Sequence, residues 1–358
     1  MPLMTQSATP AQTSYIPSLD GLRAVSILIV FLAHAGVSHL IPGGFGVTVF
    51  FFLSGYLITT LLTREMDRHG AVAFGAFYMR RLVRLGPPLV LTLLFATALV
   101  LAGIAEGDLS AATFASQILF FYNYFSLYGD GGGSVDGLGI LWSLAVEEHF
   151  YLIWPALFVL FVRGRLQLWH LSALIVAILV WRAVRLLLLG TPEWTIYIST
   201  DTRLDSMLFG CLLALMTWRG VADRLMPGGA VRWALTAGAL GLLAVSFLVR
   251  DDVFRSTLRY TLQGLALMPI FHYAVTRPES WMHRPLNWAP IRRIGLYSYT
   301  IYLVHFVVIG ALERNAVAER GGLLFVMLAG LISVGFAAAV YRFAERPLKP
   351  LRARLTGR

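Results

Sequence analysis

Residues 44–62 read GFGVTVFFFLSGYLITTLL and contain no charged side chain. As a helix, a run of this length is long enough to cross a hydrocarbon core of about 30 Å. The whole chain has the same character, because 58% of its 358 residues are hydrophobic, only 13% are charged, and its mean hydropathy is +0.71. Charged residues make up about 25% of an ordinary soluble domain. The composition therefore excludes soluble, disordered, collagen-like and coiled-coil chains, and it indicates a protein that lies in a lipid bilayer.

Nine other apolar runs resemble this one, and each is predicted to form a transmembrane helix, because a helix satisfies its own backbone polar groups in lipid. In chain order the ten runs are 22–40, 44–62, 87–105, 141–162, 171–189, 204–218, 233–249, 258–275, 294–312 and 323–343. The predicted fold is thus an all-α, polytopic integral membrane protein with about ten transmembrane helices. The apolar stretch 114–127 is shorter, and we interpret it as a half-inserted or surface helix on the outer side.

The distribution of basic residues predicts the orientation of these helices. The net charge is +10, and 28 of the 29 lysines and arginines are arginine, gathered in every second connection: 64–84, 163–165, 219–232, 277–293 and 346–358. Basic loops stay on the cytoplasmic side, so these connections and both termini are predicted to be cytoplasmic. We expect a disordered tail at 1–15, a single membrane domain at 16–346 and a basic cytoplasmic tail at 347–358. The single cysteine, Cys211, can form neither a disulfide framework nor a zinc site, and no metal is expected.

Ionisable side chains within the predicted spans are candidates for function, because burying them in lipid is costly. In the first run Arg23 precedes His34 by eleven positions, so both project from one helix face, about 16 Å apart along the axis. In the fourth run Glu147 shares a face with Ser143 and Tyr151, which predicts that its carboxylate points into the bundle. A structural alternative stays open for both residues. For His34 it is an interhelical hydrogen bond, and for Glu147 it is an ion pair with Arg203 or Arg182.

Three further polar groups lie in or beside the runs. They are Arg80, Arg81 and Arg84 after the second run, Asp201, Arg203 and Asp205 at the sixth, and the stripe Ser298, Tyr302 and His305 on the ninth. Their structural alternatives are positive-inside anchoring, a surface ion network and interhelical hydrogen bonding, respectively. Near the outer edge, Trp142, Tyr122 and Tyr124 are candidates for stacking on a sugar, with an interfacial aromatic belt as the alternative.

These segments resemble those of the membrane acyltransferase-3 family. The resemblance rests on SLDGLRA at 18–24 with His34 downstream, on GVTVFFFLSGYLI at 46–58, and on the stretches 80–84, 141–155, 202–205, 297–305 and 345–347 in the same order. It implies transfer of an acyl group, most often acetyl, from acyl-CoA on the cytoplasmic side to a hydroxyl of an exported glycan or glycosylated metabolite. It also implies a multi-pass protein of the plasma (bacterial inner) membrane. Some members carry an extracytoplasmic hydrolase-like domain, and none is expected here because the chain stops about a dozen residues after Glu345.

The resemblance also implies roles for individual residues. The family's arginine and histidine correspond to Arg23 and His34, its cytoplasmic arginine motif to Arg80, Arg81 and Arg84, and its span glutamate to Glu147. The family pattern has glutamine two places after that glutamate, where this chain has His149, so the role of His149 is left open. The residues expected to bind substrate or to support the site are Ser54, Tyr56, Trp142, Ser143, Arg203, Asp205, Ser298, Tyr302 and His305.

A mechanism follows from the chemistry of these side chains. Imidazole titrates near neutrality, so we hypothesise that His34 is the general base, oriented by Glu147 or alternatively by Asp205. Guanidinium groups bind phosphates in a paired planar geometry. The three arginines of the cytoplasmic motif, with Arg23, are therefore predicted to hold the nucleotide end of acyl-CoA while its pantetheine arm reaches inward to His34.

A proton-coupled transporter or flippase of a glycan or small metabolite is the main alternative, because buried ionisable residues and glycine-interrupted helices are also typical of carriers. The two halves of the sequence show no two-fold repeat, which disfavours it. A sensor or scaffold would leave the buried histidines unexplained. The acceptor, the acyl length, the oligomeric state and the choice between direct transfer and an acyl-enzyme are left open by these residues.

Overall fold

The computed structural model describes residues 16–38, 42–129, 134–278 and 280–355. The tail expected at 1–15 lies outside the described residues. Within the described part all regular structure is helical, which confirms an all-α polytopic membrane protein. The helices are α1 (Pro17–Leu32), α2 (Gly43–His69), α3 (Phe74–Leu101), α4 (Ala111–Ile118), α5 (Tyr122–Tyr128), α6 (Leu141–Val162), α7 (Leu168–Leu187), α8 (Glu193–Ile198), α9 (Thr200–Trp218), α10 (Val221–Leu225), α11 (Gly229–Leu248), α12 (Asp252–Ser256), α13 (Leu258–Thr276), α14 (His283–Leu286), α15 (Ala289–Arg314), α16 (Leu323–Val340) and α17 (Lys349–Arg354).

A helix forms over each of the ten predicted apolar runs. Among the described residues, eight of these helices are long and apolar enough to cross a membrane, namely α1, α2, α3, α6, α7, α11, α15 and α16. The other two, α9 and α13, have 19 residues each. Most of α9 is buried, because α2, α7 and α13 pack around it. The stretch 114–127 differs from the single helix predicted, since it contains the end of α4 and most of the short helix α5, separated by Phe120 with φ of 58°.

The centre of the bundle is the contact between α2 and α9. A Cβ added to Gly55 would lie 2.0 Å from the carbonyl oxygen of Met207, and one added to Gly210 would lie 2.0 Å from that of Phe52. The two backbones therefore touch through glycine at both positions, as in other closely packed membrane helices. This contact fixes Ser54, the residue before Gly55, deep inside the bundle.

The first helix ends in a π-helical turn, Ala33–Val37, which carries His34. Gly36 in this turn has φ of 105°, and a Cβ there would lie 2.7 Å from the backbone nitrogen of Gly321. Arg320 beside that glycine donates a hydrogen bond to the carbonyl oxygen of His34 at 2.9 Å. Single π turns are frequent at functional sites, and here the connection between α15 and α16 holds the turn in place.

Candidate active site

A cavity of about 90 Å³ lies between α1, α2, α3, α6 and α15. Eight residues singled out from the sequence line it: Arg23, Ser54, Arg81, Arg84, Ser143, Glu147, Ser298 and Tyr302. They come from positions as far apart as 23 and 302, so only the packing of the helices brings them together. We call this space the central cavity.

Glu147 forms one wall of the central cavity. Its carboxylate accepts hydrogen bonds from the hydroxyls of Ser54 and Tyr151. The guanidinium carbon of Arg81 lies 3.1 Å from the centre of the Tyr151 ring, and Arg81 also lies 3.7 Å from a carboxylate oxygen of Glu148. The predicted inward orientation of Glu147 is found, whereas the alternative pairing with Arg203 or Arg182 is not. Glu148, which was not among the predicted site residues, is the acidic partner of Arg81.

A wider cleft of about 720 Å³ lies at the start of α3 and shares Arg81, Arg84 and Ile58 with the central cavity. We call it the arginine cleft. Its basic side chains are Arg64, Arg68, Arg80, Arg81, Arg84 and Arg352. The predicted site residues did not include Arg64, Arg68 and Arg352, although all three lie in basic connections.

The four arginines predicted to hold acyl-CoA differ in their contacts. Arg23 pairs with Asp20 at 3.1 Å. Arg80 donates to Glu65 at 2.8 Å and to the carbonyl oxygen of Leu355 at 3.0 Å, so it ties the end of α2 to the C-terminal segment. Arg84 has no carboxylate partner within the described parts of the chain. The cleft therefore presents at least one arginine that is not bound to a carboxylate in the described residues.

His34 lies at the opposite end of α1 from Arg23, and its ring partner is His305. The Nδ1 of His34 is 2.9 Å from the Nε2 of His305, and the ring of Phe306 stacks on His34 with centroids 4.4 Å apart. The Nδ1 of His305 is 2.7 Å from the carbonyl oxygen of Tyr302. A carbonyl only accepts hydrogen bonds, so in neutral His305 this nitrogen carries the proton and Nε2 is the acceptor. The hydrogen-bond network thus assigns the proton of His34 to Nδ1 and leaves its Nε2 with a free lone pair.

Tyr302 connects the histidine pair to the central cavity. Its hydroxyl is 2.7 Å from that of Ser143, one turn before Glu147 on α6, and both side chains line the cavity. Its backbone carbonyl accepts from His305, as described above. The stripe of polar residues on α15 predicted from the sequence is therefore real, and it runs from the cavity at Ser298 to His305 beside His34.

The expected orientation of His34 by a carboxylate is not found among the hydrogen bonds and ion pairs of the described residues. Glu147 is held by Ser54 and Tyr151, and Asp205 pairs with Arg182 at 2.8 Å in a fully buried ion pair. Both carboxylates are thus engaged elsewhere, and a second histidine takes the place predicted for them. No short motif could have revealed this, because 271 positions separate His34 from His305.

The remaining predicted residues lie outside the central cavity. The ring of Tyr56 packs against Phe271, and Trp142 packs between Phe51 and Tyr197. The alternative for Asp201, Arg203 and Asp205, a surface ion network among them, is not found, since Asp201 pairs with Arg185 and Asp205 with Arg182. His149, whose role was left open, bonds the Thr200 hydroxyl at 2.8 Å and stacks near Tyr124.

Arg203 is fully buried and has no carboxylate partner within the described residues. Its guanidinium carbon lies 3.8 Å from the centre of the Tyr260 ring and 5.1 Å from that of Tyr197. Its one hydrogen bond there is to the hydroxyl of Thr48, at 3.4 Å, and its Nε and Nη1 have none. Aromatic faces stabilise a buried cation, but they leave its positive charge in place.

The sequence of the chain is similar to those of known proteins. A family model described as an acyltransferase domain matches residues 16–342. YrhL of Bacillus subtilis (strain 168), which has a provisional name as a peptidoglycan O-acetyltransferase, is 32% identical over 355 residues, covering 94% of this chain and 55% of that protein. The peptidoglycan O-acetyltransferase OatA of Listeria monocytogenes is 29% identical over 348 residues, covering 94% and 56%. The chain thus spans slightly more than half the length of these relatives. No solved structure matches it.

Proposed function

Because the chain belongs to the acyltransferase-3 family, we propose that it is a membrane O-acetyltransferase that transfers an acetyl group from acyl-CoA to a hydroxyl of a glycan. The names of its relatives favour peptidoglycan as the glycan. The donor enters at the arginine cleft, on the cytoplasmic side, and the acceptor arrives at the end of α1 that carries His34.

The position and tautomer of His34 support this function most strongly. A base for a hydroxyl group needs a lone pair on a ring nitrogen, and the contact with His305 leaves one on Nε2. His305 thereby does what a carboxylate does in many hydrolases, since it fixes the tautomer and orientation of the base. A purely structural histidine pair would need neither this tautomer nor a polar connection to a cavity.

The arginine cleft supports the donor assignment. Acyl-CoA carries three phosphate groups, and guanidinium groups are the side chains best suited to bind them. The cleft and the central cavity share Arg81 and Arg84, so a donor whose nucleotide lies in the cleft has a direct route inward for its extended arm. The axial distance from Arg23 to His34, about 16 Å from the helix rise, is similar to the length of that arm.

The transfer moves one proton from the acceptor hydroxyl, through His34, to the sulfur of the leaving coenzyme A. The acceptor hydroxyl gives its proton to Nε2 of His34 while its oxygen attacks the thioester carbonyl carbon. Collapse of the tetrahedral intermediate breaks the carbon–sulfur bond, and the thiolate of coenzyme A takes up the proton. The His34 imidazolium that forms in between is stabilised by its hydrogen bond to His305.

The experiment uses the full chain purified in lipid nanodiscs, with acetyl-CoA and soluble peptidoglycan fragments. We expect thioester cleavage that depends on the acceptor, together with an acetylated glycan detected by mass spectrometry. Replacing His34 with alanine should lower turnover by about 10²–10⁴-fold, the usual contribution of a general base, while the protein stays folded. Uptake of a solute into vesicles driven by a proton gradient, without thioester cleavage, would instead establish a carrier.

A further inference from the structure

A second opening lies at the His34 end of the bundle, separate from the central cavity and the arginine cleft. It is a groove of about 640 Å³ between the start of α2, helix α8 and the neighbouring ends of α11, α12 and α13. We call it the outer groove. Its volume is in the range of sites that enclose a small organic ligand.

Aromatic side chains form one side of the outer groove. Trp194 on α8 is 57% exposed and its ring lies 5.6 Å from that of Tyr197. Tyr197 packs on Trp142, whose neighbour Ser143 lines the central cavity. Burial raises the pKa of the Tyr197 phenol to about 12, so its hydroxyl stays neutral and able to donate. Flat rings with polar edges are suited to the faces and hydroxyls of a sugar.

Positive charge predominates on the other side. Arg250, Arg255 and Arg259 line the groove, whereas Glu193 is the one carboxylate among the described residues that line it. Arg255 pairs with Asp252 at 3.2 Å, but Arg250 and Arg259 have no carboxylate partner in the described part of the chain. Behind the groove, buried Arg203 adds a further positive charge next to Tyr197 and Tyr260. An anionic ligand would offset these charges.

The groove adjoins the turn that carries His34. Ser38, four residues after His34, lines it, and so does Gly43. A Cβ on Gly43 would lie 2.6 Å from that of Ala33, the residue before His34, so the start of α2 packs directly against the π-helical turn. A ligand in the groove therefore lies beside the turn that carries the base, on the side away from the arginine cleft.

We propose that the outer groove binds the acceptor and that this acceptor is a saccharide bearing a carboxylate, held by Arg250 and Arg259 with a sugar ring on Trp194. This inference rests on the proposed function, because it names the acceptor that His34 deprotonates. The competing occupant is the anionic headgroup of a lipid. It would meet the arginines in the same way but would have no sugar ring for Trp194.

The test compares two probes, the disaccharide N-acetylglucosaminyl-N-acetylmuramic acid and its methyl ester, in which one methyl group removes the negative charge of the carboxylate. Binding to the full chain in uncharged phosphatidylcholine nanodiscs is measured by calorimetry, and transfer is measured with acetyl-CoA. We expect the wild type to bind the acid about tenfold more tightly than the ester. The double variant Arg250→Gln/Arg259→Gln should lose that preference, with an unchanged KM for acetyl-CoA. Trp194→Ala should weaken binding of both probes.

Arg314→Gln is the matched control, because Arg314 pairs with Glu106 and does not line the groove. It should leave the preference for the acid intact. Equal binding of acid and ester by the wild type, or a preference that survives the double variant, would overturn the proposal. Displacement of the bound disaccharide by phosphatidylglycerol, combined with no effect of Trp194→Ala, would assign the groove to lipid headgroups. If the groove binds the acid but no thioester is cleaved, the proposed function fails and the binding site stands.

Discussion

At the scale of single residues, the proposed role of His34 as the base depends on its contact with His305. His305 accepts the hydrogen bond from Nδ1 of His34, and that bond keeps the lone pair on the other nitrogen. Replacing His305 with leucine removes the acceptor, and we expect kcat to fall about ten- to hundredfold with little change in the KM for acetyl-CoA. Glutamine has a carbonyl oxygen that can accept the same bond, so His305→Gln should retain more activity. Steady-state kinetics of the two variants at matched thermal stability measure the effect, and equal losses would show that His305 only fills space.

Arg84 differs from Arg80 because it forms no ion pair with a carboxylate in the described residues. Arg80 is bound to Glu65 and to the C-terminal segment, whereas Arg84 faces both the cleft and the cavity. We expect Arg84→Gln to raise the KM for acetyl-CoA about tenfold, the effect of one charge-assisted phosphate contact, with a smaller change in kcat. Dephospho-CoA derivatives serve as the control for the donor's phosphates. Arg314→Gln serves as the control for the change in net charge. An unaltered donor KM in Arg84→Gln would remove this residue from the donor site.

At the scale of helices, the contact between α2 and α9 positions Ser54 and hence Glu147. Gly55→Ala would bring a Cβ within 2.0 Å of the carbonyl oxygen of Met207, so the helices would have to move apart. We expect this variant to lower the free energy of unfolding by about 1–3 kcal/mol, as overpacking does elsewhere, and to reduce activity in parallel. Gly238 on α11 is a suitable control, because a Cβ there meets no atom within 4 Å. Thermal unfolding in detergent compares the two, and equal stability of both variants would contradict the packing argument.

At the scale of the whole molecule, the orientation in the membrane decides which compartment each opening faces. The positive-inside rule predicts that the arginine cleft is cytoplasmic and that the outer groove faces the other side. Cys211 is fully buried, so engineered cysteines give an interpretable labelling pattern. In intact cells, a membrane-impermeant maleimide should label Val317→Cys, which is at the His34 end, but should label Leu225→Cys only after permeabilisation. The opposite pattern would reverse the sidedness of donor and acceptor.

The sequence by itself determined where the helices lie and indicated eight of the residues that line the central cavity. Hydropathy and the spacing of side chains are local properties, so they located a helix over every predicted run and picked out eight residues that meet in the central cavity. Local spacing on α15 likewise indicated a polar stripe from Ser298 to His305. These predictions needed no knowledge of how the helices pack.

Only the tertiary structure decided which of these side chains are partners. In the folded chain the hydrogen-bond partner of His34 is a histidine and not a carboxylate. Asp205 pairs with Arg182, and Arg203 has no acidic partner in the described residues. The tertiary structure also assembled the outer groove from helices whose sequences carry no shared motif. The physical reason is that contacts between helices depend on their relative rotation and axial offset, which glycine contacts such as Gly55 against Met207 set and which no local pattern encodes.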